Sequence, residues 1–250
     1  MCLITLQAQE KICNFMDLDF KTIGELGKTG VTVIVPMIQV ESHGVHLPVG
    51  TDYYCTIEIA KWTAKKCDSL VSVPITFGNC VPFASWPGYV IIDTQTLNAL
   101  IKQYLESLHR QGFRKVVFLI MHGGDNFYGI KLAVDEYHIQ NQDMSVAITY
   151  VNLLLGKEGM KLLGEGKDID TSIMLHVRPD LVHMEKLEDA QENRPQPQTK
   201  GRAVWYAKGK DLAYYSPDNY RDSSNSSAEL GEKLLNVLSD NLVEIIQNMD

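Results

Sequence analysis

Apolar segments typical of buried β-strands alternate with amphipathic helices along this chain. The strand segments are rich in β-branched residues and comprise residues 31–38, 115–121 and 144–151, with a shorter one at 71–75. Apolar residues at helical spacing lie between them, in residues 53–66, 94–112 and 127–138. This alternation predicts an α/β fold with a mainly parallel central sheet and helices on both of its faces.

The segment directly after the first strand contains two carboxylates and two imidazoles. It reads Glu41-Ser-His-Gly-Val-His-Leu-Pro-Val-Gly-Thr-Asp52. Glu41 and His43 are two positions apart, so an extended backbone directs both side chains to the same side. Asp52 follows a loop with Pro and Gly that can fold back. Because carboxylate oxygen and imidazole nitrogen bind zinc, manganese and iron, the segment predicts a metal site. A solvated surface loop is the alternative interpretation.

A second polar cluster follows the apolar segment at 115–121. It begins with His122, and Gly123 and Gly124 then allow the backbone to approach a ligand or to turn into a helix. In open α/β sheets, ligands bind at the carboxyl ends of parallel strands. We therefore expect His122 to lie at the same sheet edge as Glu41, His43 and Asp52. The alternative is an ordinary strand-to-helix turn.

Composition narrows the class of protein. The formal net charge of −8 argues against a surface for nucleic acid or anionic membranes. No apolar run approaches the length of a membrane span, and the first ten residues lack the pattern of a secretory signal. We expect a cytoplasmic protein that acts on a small molecule and has neither nucleic acid nor a membrane as partner.

Chain length and cysteine usage complete this description. The 250 residues predict one α/β domain, with an irregular excursion at about 191–226 and a final helix opening at a Ser226–Glu229 capping box. The cysteines are odd in number and form no Cys-x-x-Cys pair, which predicts reduced thiols without a specific role. They are Cys2, Cys13, Cys55, Cys67 and Cys80.

Several blocks together resemble the creatininase (creatinine amidohydrolase) family. The most specific is Glu41-x-His-Gly-x-His-Leu-Pro-x-Gly-Thr-Asp52, and the others follow in the family's order over most of the chain. They are Trp86-Pro-Gly-Tyr89, His122-Gly-Gly-x-Asn126, Asp170-Thr-Ser172, Arg178-Pro-Asp-Leu-Val182 and Ala228-Glu-x-Gly231.

The resemblance implies a three-layer α/β sandwich, a homo-oligomer (a hexamer or similar) and one or two divalent metals, with zinc favoured over manganese or iron. By this resemblance Glu41, Asp52 and His122 hold one ion. His43, a bridging Asp52 and a further carboxylate, for which Asp170 is the candidate, hold the other. A bridging carboxylate makes physical sense because two cations about 3.5–4 Å apart need negative charge between them.

The chain departs from the family pattern beside these ligands. Asp125 stands where Asn is common, and Asp170 replaces a Glu that is one carbon longer. Glu165 falls near the place of an expected His. These departures predict a retained metal centre with altered substrate chemistry. Glu165, Asp125 and Asp170 are the candidates for the general base, and their roles stay open.

Three functions remain open from the sequence. The first is a metal-dependent hydrolase that opens a small cyclic or linear amide other than creatinine, using a metal-activated water. The second uses the same metal to open the ring of a carbohydrate-derived ketone or lactone. The third is a non-catalytic, metal-stabilised oligomeric or ligand-binding protein.

Overall fold

Four parallel strands form one sheet in the computed structural model, which describes residues 14–80, 87–187 and 222–249. The strands are β1 (Thr32–Met37), β2 (Ser69–Val71), β3 (Lys115–Ile120) and β4 (Ser145–Tyr150), in the order β2-β1-β3-β4. The register pairs Thr32 with Lys115 and Met37 with Ile120, so β1 and β3 end level with each other. Each neighbouring pair is parallel, which confirms the predicted α/β sheet.

Helices connect the strands and precede and follow them. They are α1 (Phe20–Leu26), α2 (Thr51–Lys66), α3 (Thr94–Arg110), α4 (Gly124–His138), α5 (Val151–Leu154), α6 (Gly156–Leu162), α7 (Ile169–Val177) and α8 (Ala228–Gln247). Single 3₁₀ turns occupy Phe15–Asp17, Pro179–Leu181 and Met184–Lys186. Within the described residues, no helix has the length and apolar character needed to cross a membrane.

Two apolar clusters flank the sheet because successive strand residues point to opposite faces. Val33 and Val35 of β1 pack with residues of α1, α3 and α4. Ile34 of the same strand, with Val117 and Leu119 of β3, packs with residues of α2, α7 and α8. The arrangement confirms a three-layer sandwich with the sheet in the middle.

Helix α3 shows how local sequence positions these layers. Its N-cap is Asp93, whose side chain accepts a hydrogen bond from the Thr96 N–H at 2.7 Å. The buried residues recur at helical spacing, and Gly112 follows the last turn with a positive φ of 96°. Those buried residues are Leu97, Ile101, Leu105 and Leu108.

Two predicted segments differ from the structure or lie outside it. The predicted strand at 71–75 corresponds to Ser69–Val71, and Ile75 forms only an isolated bridge with Met37 after Pro74 interrupts the segment. Of the predicted excursion at 191–226, only residues 222–226 belong to the described part of the chain.

Candidate metal centre

The charged cluster lies at the carboxyl ends of β1 and β3. Glu41 and His43 are in the loop that follows β1, and His122 is the second residue after β3. Because these neighbouring strands end level, residues 81 positions apart in the sequence come into direct contact. The sheet edge predicted for the site is therefore the edge at which these side chains meet.

Backbone hydrogen bonds give the loop between β1 and α2 its shape. The N–H of Glu41 donates to the Val49 carbonyl at 3.2 Å, which closes the loop on itself. The N–H of Gln39 donates to Asp52 Oδ2 at 3.3 Å. Gly44 has a φ of 86°, a left-handed conformation that a β-carbon would strain. Asp52 lies in the first turn of α2, where the helix dipole stabilises a carboxylate.

The four side chains form a continuous set of short contacts. His122 Nδ1 lies 2.7 Å from Glu41 Oε1, and His43 Nε2 lies 3.0 Å from Asp52 Oδ1. His43 Nε2 is also 3.7 Å from Glu41 Oε1, so the two pairs join. The Asp52 and Glu41 side chains are only 1% and 9% exposed. Two carboxylates buried this deeply require nearby positive charge.

The donor set fits a divalent ion. Ligand atoms of Glu41, His43 and Asp52 all lie within 4.8 Å of one another, and so do those of Glu41, Cys80 and His122. His43 Nδ1 is buried without a hydrogen-bond partner. Carboxylate and imidazole donors at such spacing match the coordination chemistry of zinc and manganese. Glu41 belongs to both groups, whereas the family resemblance implies Asp52 as the bridging ligand.

Both imidazoles at this centre have raised pKa values. Burial lowers the pKa of His43, but the adjacent Asp52 carboxylate, helped by Asp170 and Glu41, outweighs burial and raises it to about 10. Burial likewise lowers the pKa of His122, and its hydrogen bonds with Cys80 and Glu41 raise that pKa to about 11. A proton on each ring therefore compensates the buried carboxylates of the metal-free chain.

We expect metal binding to release protons, because an ion coordinates the neutral imidazole. Around neutral pH, apparent affinity should rise roughly tenfold per pH unit for each proton released. Titration calorimetry in two buffers of different ionisation enthalpy measures the number released. An identical binding enthalpy in both buffers would contradict protonated His43 and His122 in the metal-free protein.

The stability of the metal-free chain falls as the pH rises, whereas its affinity for metal increases. Because folding raises these two pKa values above the ordinary 6.5, the imidazolium contribution is fully present below that value. This contribution is lost as the pH rises through about 10 for His43 and about 11 for His122. The melting temperature of the metal-free protein measures it.

The three candidate bases occupy different environments. Asp170 is half-buried in the first turn of α7, and its charge contributes to the raised pKa of His43. Asp125 is exposed in the first turn of α4, and its charge acts on Cys80. Glu165 is exposed in the turn before α7. None of the three belongs to the two ligand groups found among the described residues.

His46 links the metal-centre loop to helix α7, a role the sequence did not reveal. It is fully buried, and its Nε2 lies 3.0 Å from Thr171 Oγ1. Thr171 Oγ1 in turn donates to Asp168 Oδ2 at 2.9 Å. Burial outweighs the nearby charge of Asp168 and lowers the pKa of His46 to about 4, so the ring stays neutral. This chain of contacts ties helix α7, which carries Asp170, to the metal-centre loop.

Cys80 contacts the centre, and Tyr89 lies close enough for the charge of Glu41 to act on it. Cys80 Sγ lies 3.4 Å from His122 Nε2 and 3.9 Å from Glu41 Oε2, although the sequence had suggested no role for any cysteine. Burial and the charge of Glu41 raise the pKa of Tyr89, and a hydrogen bond with the backbone of Ser42 offsets part of this rise. Cys80 lies nine residues beyond the end of β2, so the strand-end pattern that identified His122 gave no signal for it.

Comparison with known proteins gives one family. The model of the family described as "Creatininase: Creatinine amidohydrolase" matches residues 16–246. Among curated relatives, the mycofactocin precursor peptide peptidase of Mycolicibacterium smegmatis is 28% identical over 161 residues, covering 62% of this chain. The chain spans 61% of the length of that relative.

Two further relatives differ in the activity that their names state. The creatinine amidohydrolase of Pseudomonas putida is 26% identical over 179 residues, which cover 63% of this chain and 68% of the relative. The 3-dehydro-scyllo-inosose hydrolase of Thermotoga maritima is 23% identical over 182 residues, which cover 68% and 58%.

Solved creatininase structures share the fold. A creatininase variant of the Zn-Zn type superimposes with a TM-score of 0.78 at 20% identity, covering 95% of this chain and 98% of that one. A manganese creatininase gives a TM-score of 0.77 with the same identity and coverage. The likeness extends over nearly the whole of both chains.

Proposed function

The chain belongs to the creatininase family of hydrolases, and on that premise we propose that it is a metal-dependent hydrolase that cleaves the C–N bond of a small cyclic or linear amide. Zinc is the proposed ion. Two of the three relatives described above have names that state amide or peptide hydrolysis. The departures around Asp125, Glu165 and Asp170 argue for a substrate other than creatinine.

The observation that carries this proposal is the buried cluster of Glu41, His43, Asp52 and His122. It combines two carboxylates with two imidazoles at the carboxyl edge of a parallel sheet, where α/β proteins bind their ligands. A purely structural metal site is usually closed and richer in Cys and His. Since the His122 side chain is 24% exposed, the cluster is open on one side.

When bound, a divalent ion would supply an activated water and polarise the substrate carbonyl. Glu41, His43, Asp52 and His122 would hold and orient that ion. The Asp170 carboxylate accepts a proton from the attacking water and returns it to the leaving nitrogen.

Asp170→Asn is expected to reduce kcat by roughly 10²–10⁴-fold, the usual contribution of a general base. The amide keeps the shape of the side chain and removes its ability to accept a proton. We expect metal content to stay unchanged, which elemental analysis of the same preparation measures. A loss of one equivalent of metal would instead identify Asp170 as a ligand.

Glu165→Gln is the matched control for this carboxylate. Because Glu165 is exposed and lies outside the ligand groups of the described residues, its replacement should change kcat less than about threefold. A large loss in Glu165→Gln, with Asp170→Asn fully active, would make the assignment of the base wrong.

The proposal as a whole is tested by metal analysis followed by a substrate panel. Protein purified without chelators or a metal-binding tag is expected to contain one to two equivalents of zinc, manganese or iron. The panel contains cyclic amides, short peptides, and sugar-derived ketones and lactones. Turnover of an amide or peptide that stops on metal removal and returns on metal addition is the expected result.

A second candidate function is ring opening of a carbohydrate-derived ketone. The specific observation in its favour is the relative from Thermotoga maritima, whose name states hydrolysis of an inosose. Turnover confined to the ketones and lactones would establish this activity and reject amide hydrolysis. A protein that binds no metal on titration would favour the non-catalytic interpretation.

A further inference from the structure

Cys80 lies inside the metal centre rather than in the apolar interior. Its side chain is buried, with the residue only 1% exposed, and its Sγ is 3.4 Å from His122 Nε2 and 3.9 Å from Glu41 Oε2. Buried free cysteines usually pack as small hydrophobic residues, as Cys55 does in one of the two sheet-flanking clusters. Among the described residues, Cys80 belongs to no apolar cluster.

The spacing of these three side chains suits a shared ion. Ligand atoms about 2.0–2.3 Å from one tetrahedral ion lie roughly 3.3–3.6 Å apart. The separation of Cys80 Sγ and His122 Nε2 already matches this range, and all three residues offer ligand atoms within 4.8 Å of one another. The 2.7 Å contact between His122 Nδ1 and Glu41 Oε1 is a hydrogen bond that leaves Nε2 facing the thiol.

The backbone next to Cys80 is held from two sides. The N–H of Asn79 donates to Asn126 Oδ1 at 2.6 Å, and Asn79 Nδ2 donates to Thr94 Oγ1 at 2.6 Å. The carbonyl of Gly78 accepts from the Ile92 N–H at 3.0 Å. These bonds tie the residue before Cys80 to the first turns of α3 and α4. The two residues directly before Cys80 are therefore fixed relative to the helix that follows His122.

We propose that Cys80 Sγ is a ligand of the ion held by Glu41 and His122, which makes this a thiolate-containing site selective for zinc over manganese. The inference rests on the proposed metal centre and specifies its ligands. A thiolate is a soft donor that suits zinc and cobalt, whereas manganese prefers oxygen ligands. A dipositive ion supplies the positive charge that a buried thiolate needs.

The test is cobalt substitution of the 250-residue chain. Cobalt bound by a thiolate gives a charge-transfer band in the near ultraviolet, and cobalt at any such site gives weaker visible bands. We expect both in the wild type. In Cys80→Ser the near-ultraviolet band should vanish while the visible bands remain, because the carboxylate and imidazole ligands are intact. Cys67→Ser is the matched control, since Cys67 Sγ donates to Thr63 O in α2, and it should keep both.

Competition between zinc and manganese gives a second readout. Cys80→Ser should reduce the preference for zinc over manganese by at least about tenfold. Mutating residues that only hydrogen-bond to metal ligands already lowers metal affinity by that much. If the wild type shows visible bands but no near-ultraviolet band, Cys80 is not a ligand, although the metal centre itself binds cobalt. A near-ultraviolet band that persists in Cys80→Ser would also overturn the thiolate ligand. Absence of any bound cobalt would overturn both the ligand and the metal centre.

Discussion

Replacing Glu41 with Gln is expected to remove most of the bound metal and to lower kcat/KM at least about a hundredfold. Glu41 is common to both ligand groups, with contacts of 2.7 Å to His122 and 3.7 Å to His43. Glutamine has the same shape but lacks the charge that binds a cation. Elemental analysis and kinetics on one preparation measure both effects.

The metal-free Glu41→Gln variant should still fold, because the side chain keeps its volume, but with a lower melting temperature, because it loses the ion pair with His122. Thermal unfolding followed by circular dichroism checks this point. Glu185→Gln is the matched control, since Glu185 is exposed and its ion-pair partner among the described residues is the exposed His183 at 3.0 Å. Its metal content and activity should be unchanged. Full metal occupancy in Glu41→Gln would make the ligand assignment wrong.

Gly231→Ala is expected to destabilise the protein by about 3 kcal/mol, the upper end of the usual cost of overpacking. Gly231 lies in the first turn of α8, against helix α7. An added β-carbon would overlap the backbone carbonyl of Ser172 and lie 3.0 Å from the His176 β-carbon. A backbone carbonyl in a helix cannot move aside as a flexible side chain can. The melting temperature should fall by roughly 6–12 °C.

Gly24→Ala is the control for this substitution. Gly24 is within helix α1, and an added β-carbon there would meet no atom within 4 Å. Alanine is the better helix former by about 1 kcal/mol, so the melting temperature should stay the same or rise. Equal melting temperatures for the wild type and Gly231→Ala would contradict the close approach of α7 and α8. Because α7 carries Asp170, we also expect Gly231→Ala to reduce activity.

The pattern of apolar residues predicted the strands and helices accurately where a single periodicity dominated. The strands β1, β3 and β4 and the helix α3 were predicted within one or two residues, because each is a long run of apolar residues at a single spacing. The C-terminal helix was also predicted, but its N-cap is Ser227 and not the predicted Ser226. Ser226 Oγ instead accepts a hydrogen bond from the Asp168 N–H at 2.9 Å. The helix N-cap is therefore one residue later than predicted, and Ser226 binds Asp168, which is distant in the sequence.

The sequence by itself determined the fold class, the sheet edge of the candidate site and the residue types of its ligands. These follow from strand-to-helix alternation and from polar residues placed directly after strands, both of which are local along the chain. Only the tertiary structure decided which side chains touch. It brought Cys80 to His122, 42 positions away, and His46 to Thr171, 125 positions away. Hydrophobic periodicity indicates which face of its own helix or strand a residue lies on. Contacts between elements depend on register, on loop closure and on how closely helices pack, and those are set only when the whole chain folds.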